Sequence, residues 1–267
     1  MKRLFCVAVA LAAASVMSAQ EAAETAASAV GAKEEQPSTG FSFDATLDLY
    51  SAYIWHGLVV NDRPVWEPAG TLAYATEGCG KFAVGAWANF EMTGHNGNTT
   101  GAGLNEIDYT ASYLIDISDF TVEAGHIWYT FPKVCGPDAP STREVYGSVT
   151  YNSDIVTPSL SVYYDYALMD GAYALAALNK TVELNERVSV GTEVALGAGS
   201  EGYMAYFGVT EAGLLDFNAS AFASYKLTDH LSVGAKLAWL SIVDNAARES
   251  VDHQELLWGG VNLAASF

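Results

Sequence analysis

The chain has 267 residues, of which 51% are hydrophobic and only 16% charged, and it contains 15 Tyr and 24 Gly. About a quarter of the residues in a soluble domain carry a charge, so this composition argues against an ordinary soluble protein. The 12 Lys and Arg oppose 31 Asp and Glu, for a net charge of -19. This balance excludes a nucleic-acid partner, because affinity for phosphates depends on Lys and Arg.

Residues 1–19 have the pattern of an export signal. A basic start (MKR) is followed by an apolar core at 4–16 and a small-residue exit (MSA). The core is too short to span a bilayer as a helix. We therefore expect 1–19 to be a cleaved signal peptide. The Ala-, Glu- and Ser-rich segment 20–40 is expected to be a flexible periplasmic leader.

From Phe41 onward, apolar and polar residues alternate with the period of two that a β-strand requires. In the first such segment, 41–55, Phe41 and Leu47 fall on one face while Asp44 and Asp48 fall on the other. The same alternation recurs at 82–92, 106–117 and 215–227. These segments run about ten residues or more, which exceeds the ordinary strand of about five or six. Their length and pattern are typical of transmembrane β-strands.

A secreted β-sandwich is the alternative, because its strands also alternate. The polar faces here, however, carry Gly, Ser, Ala and Thr rather than a solvated mixture of Lys and Glu. Aromatic residues gather near strand ends, as in interfacial girdles, at Phe41, Tyr53, Trp55, Phe120 and Trp128. The final segment alternates up to Phe267, which would be its last lipid-facing residue. The pattern predicts an all-β fold, a single transmembrane antiparallel β-barrel over 41–267.

The lengths of the connections predict the number of strands. Short connections, expected on the periplasmic side, occur at 76–80, 118–119, 152–157, 184–187 and 228–230. Longer ones, expected outside, occur at 56–64, 92–103, 132–142 and 244–253, with a short one at 169–171. Counting 202–209 as a strand would give thirteen. An even number restores the alternation of sides, so we predict about 12 strands, with 202–209 as a hairpin-like extension above the membrane.

Three stretches resemble a family of uncharacterised Gram-negative outer-membrane proteins. They are "LYSAYIWHGLVVNDRPVWEPAGTLAY", "GHIWYTFP" followed by "REVYGSVTY", and the closing "LLWGGVNLAASF". In that family an early strand ends in Tyr-x-aromatic-Arg-Gly and a middle strand in Tyr-x-Tyr-Pro. His56 stands at the Arg position, and Phe131-Pro132 replaces the aromatic-Pro pair. The resemblance implies an outer-membrane barrel without an established substrate. The ending at Phe267 also resembles the terminal signal by which the barrel-assembly machinery recognises its clients.

The alternation assigns most charged strand residues to the lumen, where charge is tolerated better than on the lipid face. The acidic candidates for selectivity are Asp44, Asp48, Glu91, Glu106, Asp108, Asp165 and Glu193. Further inward charges are Asp116, Glu123, Glu144, Asp216, Lys226 and Lys236. Lumen aromatics that could stack a sugar or simply fill the barrel are Tyr50, Trp87, Tyr129, Tyr146, Tyr163 and Trp258. The carboxylates could pair across strands as filler, or repel anions at a constriction.

Enzyme chemistry is not expected. His230 and Ser232 have a His-x-Ser spacing found in an outer-membrane phospholipase, but they lie in a short turn without the surrounding motif. His126 falls on the lipid-facing register, and His56, His95 and His253 are loop residues without ligand-like spacing. We therefore predict neither a metal site nor a cofactor.

Two functions remain open. One is a porin-like passive channel for small hydrophilic solutes that mildly favours cations. The other is a barrel with a closed lumen that has a structural or surface-interaction role without transport. Both place the chain in the outer membrane of a Gram-negative bacterium, in contact with its lipid and lipopolysaccharide. Since Cys79 is assigned to a periplasmic connection and Cys135 to an external loop, we expect these two cysteines not to pair.

Overall fold

The computed structural model describes residues 39–94, 102–132 and 141–267. The predicted signal peptide 1–19 and nearly all of the predicted leader 20–40 lie outside these residues. The first half of the described strands comprises β1 (Gly40–Tyr50), β2 (Tyr53–Trp55), β3 (Leu58–Asn61), β4 (Val65–Thr76), β5 (Gly80–Glu91), β6 (Gly103–Ile117) and β7 (Phe120–Thr130). The second half comprises β8 (Thr142–Tyr151), β9 (Thr157–Asp165), β10 (Gly171–Glu183), β11 (Val188–Gly199), β12 (Gly213–Lys226), β13 (Leu231–Ile242) and β14 (Glu255–Ser266). Two short helices, α1 (Glu201–Ala205) and α2 (Asn245–Ser250), precede β12 and β14.

Twelve of these strands form a closed antiparallel barrel in which β1 pairs with β4 on one side and with β14 on the other. Every other pair joins strands that follow one another along the chain. The chain end extends the closing ladder, because the Phe43 and Phe267 backbones exchange two hydrogen bonds of 2.9 and 3.0 Å. The predicted all-β, 12-stranded antiparallel barrel is confirmed.

The two rims of the barrel differ in the length of their connections. The rim that we call the turn rim carries the short connections 77–79, 118–119, 152–156, 184–187 and 227–230, together with the start of β1 and the end of β14. The opposite rim, the loop rim, carries the connections 51–64, 92–102, 131–141, 166–170, 200–212 and 243–254. This separation follows the predicted alternation of sides.

The outward face of the barrel is apolar. Exposed residues along it include Leu47, Leu72, Val84, Leu160 and Leu257. Aromatic residues lie on the same face near the rims, at Phe41, Tyr74, Phe82, Trp66, Trp128 and Trp239. A continuous apolar exterior with aromatic residues toward both rims is typical of barrels that face lipid. Neither described helix is long and apolar enough to cross a membrane.

The segment 202–209 is not a hairpin-like extension. Its first residues belong to α1, and Ser200 caps this helix by accepting a hydrogen bond from the backbone N–H of Tyr203. The helix is held in place by apolar packing, since Tyr203, Met204 and Phe207 are buried. The apolar residues of this segment are therefore the buried side of a helical turn and do not belong to a strand.

The topology predicts that Cys79 and Cys135 cannot form a disulfide. Cys79 is exposed in a turn at the turn rim. Cys135 lies outside the described residues, but Pro132 and Ser141, which flank its loop, lie at the loop rim. The apolar band of a membrane barrel is about 25 Å tall, whereas a disulfide needs Cα atoms within about 7 Å. Mild alkylation of the unreduced mature protein should therefore label both thiols, and Cys79→Ser should lose one label, as measured by mass spectrometry. A Cys79–Cys135 crosslink would contradict the strand topology.

Candidate functional site

The connection between β1 and β4 folds into the barrel as a hairpin. Strands β2 and β3 pair with each other, with Trp55 opposite Leu58, and are joined by His56 and Gly57. Both turn residues have positive φ, 42° for His56 and 82° for Gly57. Two consecutive left-handed residues are the geometry of a tight two-residue hairpin, and glycine at the second position supplies it without steric cost.

This hairpin, which we call the lumen hairpin (51–64), is among the most deeply buried parts of the protein. Tyr53, Trp55 and His56 expose 0%, 1% and 2% of their surfaces. The prediction that 41–55 is one strand, with Tyr53 and Trp55 in an interfacial girdle, is therefore wrong. The chain leaves the barrel wall after Tyr50, which pairs directly with Val65 of β4. The large rings are buried inside the lumen rather than exposed at its surface.

Polar contacts fix the tip and the base of the lumen hairpin. At the tip, the Tyr203 hydroxyl donates to the His56 carbonyl oxygen at 3.1 Å. The His56 Nε2 atom lies 3.6 Å from Glu144 Oε1, and its ring packs 4.3 Å from the ring of Tyr173. Nearer the base, the Tyr53 hydroxyl donates to Glu106 Oε2 at 3.1 Å. The hairpin is thus bound to the wall on several sides and to the loop above it.

Tyr203 links the lumen hairpin to helix α1. Burial, together with the nearby carboxylates of Asp216 and Glu144, raises the pKa of the Tyr203 phenol well above its ordinary value. The phenol therefore keeps its proton, so it remains the donor in the bond to His56. Its ring also packs 6.0 Å from Trp55 and 5.4 Å from Tyr173. Sequence patterning did not reveal this contact, because 147 residues separate its two partners.

Eight carboxylate side chains are buried in the half of the lumen nearest the loop rim, at Asp48, Glu67, Glu91, Glu106, Asp108, Glu144, Asp165 and Asp216. Most accept hydrogen bonds from neutral side chains rather than from cations. Glu144 accepts from the Tyr129 hydroxyl at 2.6 Å, and Asp165 accepts from the Thr142 hydroxyl at 2.6 Å. Buried polar groups require such partners, because losing water without them is costly.

Two further carboxylates follow the same rule. Asp48 accepts from the Thr46 hydroxyl at 2.8 Å and from the Tyr50 hydroxyl at 3.2 Å. Asp216 accepts from the Tyr173 hydroxyl at 3.0 Å and from the Asn218 amide at 2.6 Å. Neutral donors satisfy the geometry of these oxygens but supply no positive charge to offset an ionised carboxylate. The local potential in this half of the lumen is therefore negative whenever the groups are ionised.

Three of the eight buried carboxylates lie around Asn89. The Asn89 amide donates to Glu67 Oε1 at 3.0 Å, and Glu106 and Asp108 lie on the neighbouring strand β6 opposite Asn89 and Trp87. Both of these carboxylates are completely buried. The described part of the chain contains no group of three or more potential metal ligands arranged to hold a metal ion.

The remaining candidates lie closer to the turn rim. Asp44 sits opposite Ser266, whose hydroxyl donates to its Oδ1 at 2.7 Å, and it is exposed to solvent. Glu193 is half-buried and accepts from the Asn179 amide at 3.4 Å. The inward positions around them hold small or hydroxylated side chains, such as Thr71, Thr110, Ser112, Ser148, Ser161 and Ser224. These side chains are smaller than the aromatic rings that fill the lumen near the loop rim.

The predicted lumen aromatics mostly contact one another or the hairpin. Tyr50 packs edge-on against Trp258 with centroids 5.4 Å apart, and Trp87 lies 5.4 Å from Tyr53. Tyr146 stacks on Tyr163 at 5.6 Å. The Tyr146 hydroxyl also donates to Glu123 at 2.6 Å. These contacts favour the interpretation that the rings fill the barrel rather than stack a sugar.

A cavity of about 50 Å³ remains between the hairpin tip and the wall formed by β10–β14. It is lined by His56, Gly57, Glu193, Asn218, Lys236 and Trp258, among others. The Lys236 ammonium lies 4.8 Å from the centroid of the Trp258 ring. Acidic and basic side chains therefore meet beside the tip of the lumen hairpin.

Several functional residues were missed by strand patterning. Glu67, Tyr173 and Tyr203 were not assigned to the lumen, and His56 was assigned to an external loop. The "WHGL" stretch does contain a signal, since a glycine in a two-residue turn flanked by apolar residues predicts a hairpin. His230, weighed for catalysis, instead stacks on Phe267 at 5.2 Å, and its Nδ1 lies 2.8 Å from the Ser266 carbonyl oxygen.

Fold and lumen together define a twelve-stranded membrane-type β-barrel with a constriction made by its own first loop. A family model described as "Bacterial protein of unknown function (Gcw_chp)" matches residues 34–241. The chain therefore belongs to this family. No curated protein matches it significantly.

Two solved structures resemble the barrel. An outer-membrane channel from Pseudomonas putida F1 has a TM-score of 0.52 at 10% identity, and the match covers 86% of this chain and 96% of that chain. The NanC porin has a TM-score of 0.50 at 12% identity, covering 84% of this chain and 98% of that chain. At these identities the likeness concerns the fold alone.

The close approach of Gly57 to Asp216 predicts that a methyl group at this position will loosen the lumen hairpin. A Cβ on Gly57 would lie 2.5 Å from Asp216 Oδ1, whereas a Cβ on Gly78, which also has positive φ, would meet nothing within 4 Å. Both Gly57→Ala and Gly78→Ala incur the left-handed strain of about 1–2 kcal/mol. Only Gly57→Ala also displaces the Asp216 carboxylate from its donors. Hydrogen exchange across 51–64 should accelerate in Gly57→Ala alone, and equal protection in both variants would contradict this docking.

Proposed function

We propose that this barrel is a porin-like passive channel for small hydrophilic solutes, with a mild preference for cations. The observation that carries the proposal is the set of buried carboxylates around the lumen hairpin, in the half of the lumen nearest the loop rim. Beside them, the described inward residues at this level offer few basic groups, namely Lys236 and, if protonated, His56. The closed barrel and its likeness to outer-membrane channels support the same class of function.

A preference for cations follows from elementary electrostatics. Carboxylates that line a constriction lower the energy of a cation and raise that of an anion, and a low-dielectric wall strengthens both effects. Asp44 and Asp48 extend the negative lining along β1 from the turn rim toward the hairpin. A solute entering from the turn rim would therefore meet the smaller polar side chains first and the buried carboxylates around the hairpin second.

A specific observation favours a second candidate, a closed-lumen barrel with a structural or surface-interaction role. The lumen hairpin fills the half of the interior nearest the loop rim, and the cavity beside its tip is only about 50 Å³. A cavity of that size holds a few water molecules at most. Passage of anything larger would require the hairpin to move.

The setting of the protein forms part of the proposal. The exported barrel would lie in the outer membrane of a Gram-negative bacterium, with its turn rim in the periplasm and its loop rim outside. Lipid and lipopolysaccharide would contact its apolar outward face. The barrel-assembly machinery would recognise the closing strand that ends at Phe267. We propose no enzymatic activity.

The electrostatic part of the proposal predicts the effect of neutralising β1. The double variant Asp44→Asn and Asp48→Asn should lower the permeability ratio of cations to anions, because two charges leave the lumen while the side-chain volumes stay nearly constant. The measurement is the reversal potential of single channels in a salt gradient across a planar bilayer. Glu186→Gln, which removes an exposed charge from the turn 184–187, is the matched control and should leave the ratio unchanged.

An unchanged reversal potential in the double variant would contradict a selectivity role for these two residues. It would favour the interpretation that the two carboxylates serve only as hydrogen-bond acceptors for the hydroxyls of Thr46, Tyr50 and Ser266. An equal shift in Glu186→Gln would mean that the net charge of the protein, and not the lining of the lumen, determines selectivity.

Removal of the lumen hairpin distinguishes the two candidate functions. Since Tyr50 and Val65 are direct partners across β1 and β4, residues 51–64 can be replaced by Asn-Gly, which suits a two-residue hairpin. We expect single-channel conductance to rise several-fold, because the filled half of the lumen becomes open. Heat-modifiable migration on gels verifies that the shortened barrel is folded.

The full-length protein is measured in parallel. A small conductance that increases in the shortened variant supports a channel constricted by the hairpin. A full-length barrel without conductance, beside a conducting shortened variant, supports the closed-lumen candidate. No conductance from either folded protein would overturn the proposal that the barrel conducts.

A further inference from the structure

Basic residues are rare on the outward face of the described strands. Only Arg143 on β8 and Lys180 on β10 have this orientation, since the neighbouring Glu144 and Asn179 face inward. Arg143 lies at the loop rim, one residue into its strand, whereas Lys180 lies near the turn rim. Cations on a lipid face are unfavourable at mid-depth and are tolerated near the interfaces. The two positions agree with that rule.

The two side chains differ in whether their charge has an acceptor. The Lys180 ammonium donates to the backbone carbonyl of Asp154 in the turn before β9. Two other arginines, Arg63 and Arg248, each lie 3.5 Å from a carboxylate. Within the described residues, the Arg143 guanidinium has neither a hydrogen-bond acceptor nor a carboxylate partner.

One aromatic residue contacts the Arg143 side chain, and a second contacts its backbone. Its guanidinium carbon lies 5.7 Å from the centroid of the Trp128 ring. The Tyr166 backbone N–H donates to the Arg143 carbonyl oxygen at 3.2 Å, and the Tyr166 hydroxyl lies 2.9 Å from His126 Nε2. Trp128 and Tyr166 expose 42% and 44% of their surfaces. We call this group of Arg143, Trp128, Tyr166 and His126 the loop-rim patch.

We infer that the loop-rim patch binds the phosphate group of a phosphorylated lipid in the membrane leaflet at the loop rim. A guanidinium with one face on an indole still offers its N–H edge, which matches two oxygens of a phosphate. The occupant is a lipid rather than free phosphate because the surface leading away from Arg143 toward mid-depth is apolar. Exposed Val145, Val149 and Leu160 follow it on β8 and β9, where acyl chains attached to the phosphate would lie.

This inference rests on the proposed membrane setting but not on conduction. Lipid binding and channel function can therefore fail separately. The test is native mass spectrometry of the full barrel in detergent, titrated with bisphosphorylated lipid A or with the same lipid after removal of its phosphates. The variants are Arg143→Gln, Arg143→Lys and the matched control Lys180→Gln, which removes the other outward-facing cation. Folding of each is verified by heat-modifiable migration.

The wild-type barrel should retain the phosphorylated lipid several-fold more than the dephosphorylated one. Arg143→Gln should abolish that preference, Arg143→Lys should keep part of it because the charge remains without the planar fork, and Lys180→Gln should match the wild type. Equal retention of both lipids by the wild type, or an unchanged preference in Arg143→Gln, would overturn the inference. Displacement of the lipid by inorganic phosphate at equal concentration would overturn the assignment to a lipid.

Discussion

The hydrogen bonds between β1 and β14 close the sheet, and the rest of the structure depends on that closure. A backbone N–H or C=O group without a partner is costly in hydrocarbon, so an open sheet edge cannot face lipid. Pairing from Asp44–Ser266 to Tyr50–Gly260 removes both edges. Closure also divides every strand into an outward and an inward face. Charge must then collect inside, where water and hydrogen-bond donors are available.

Closure with twelve strands creates an interior that the wall's own side chains fill incompletely. Eight-stranded barrels can be filled by side chains, whereas barrels of sixteen strands or more leave an aqueous channel. Here the lumen hairpin occupies the half near the loop rim, and smaller polar residues are common in the other half. The hairpin also supplies Tyr53 as a donor to Glu106, while its tip contacts Glu144 and Asp216. Constriction and charge therefore coincide, which is the basis of the proposed selectivity.

The face that each strand residue occupies could be derived from the sequence. The period of two assigns Asp48, Asp108 and Glu193 to the inward face of their strands. In the structure these residues lie on the lumen side. The same rule also misassigned Tyr53 and Trp55, because the alternation of 41–50 continues through the residues that leave the wall. Likewise, 202–209 alternates like a strand while its first residues form α1. Periodicity reports which residues share a face, but it does not report what the face packs against.

The sequence by itself thus determined the barrel class, the even number of strands and the inward position of most charged strand residues, since each follows from local periodicity and the lengths of connections. Only the tertiary structure decided that the first connection enters the lumen. That choice depends on contacts far apart in the chain, such as Tyr53 with Glu106 and His56 with Tyr203, which are 53 and 147 residues away. Such partners meet only after the sheet has closed around the hairpin, so no local pattern of residues 51–64 could specify them.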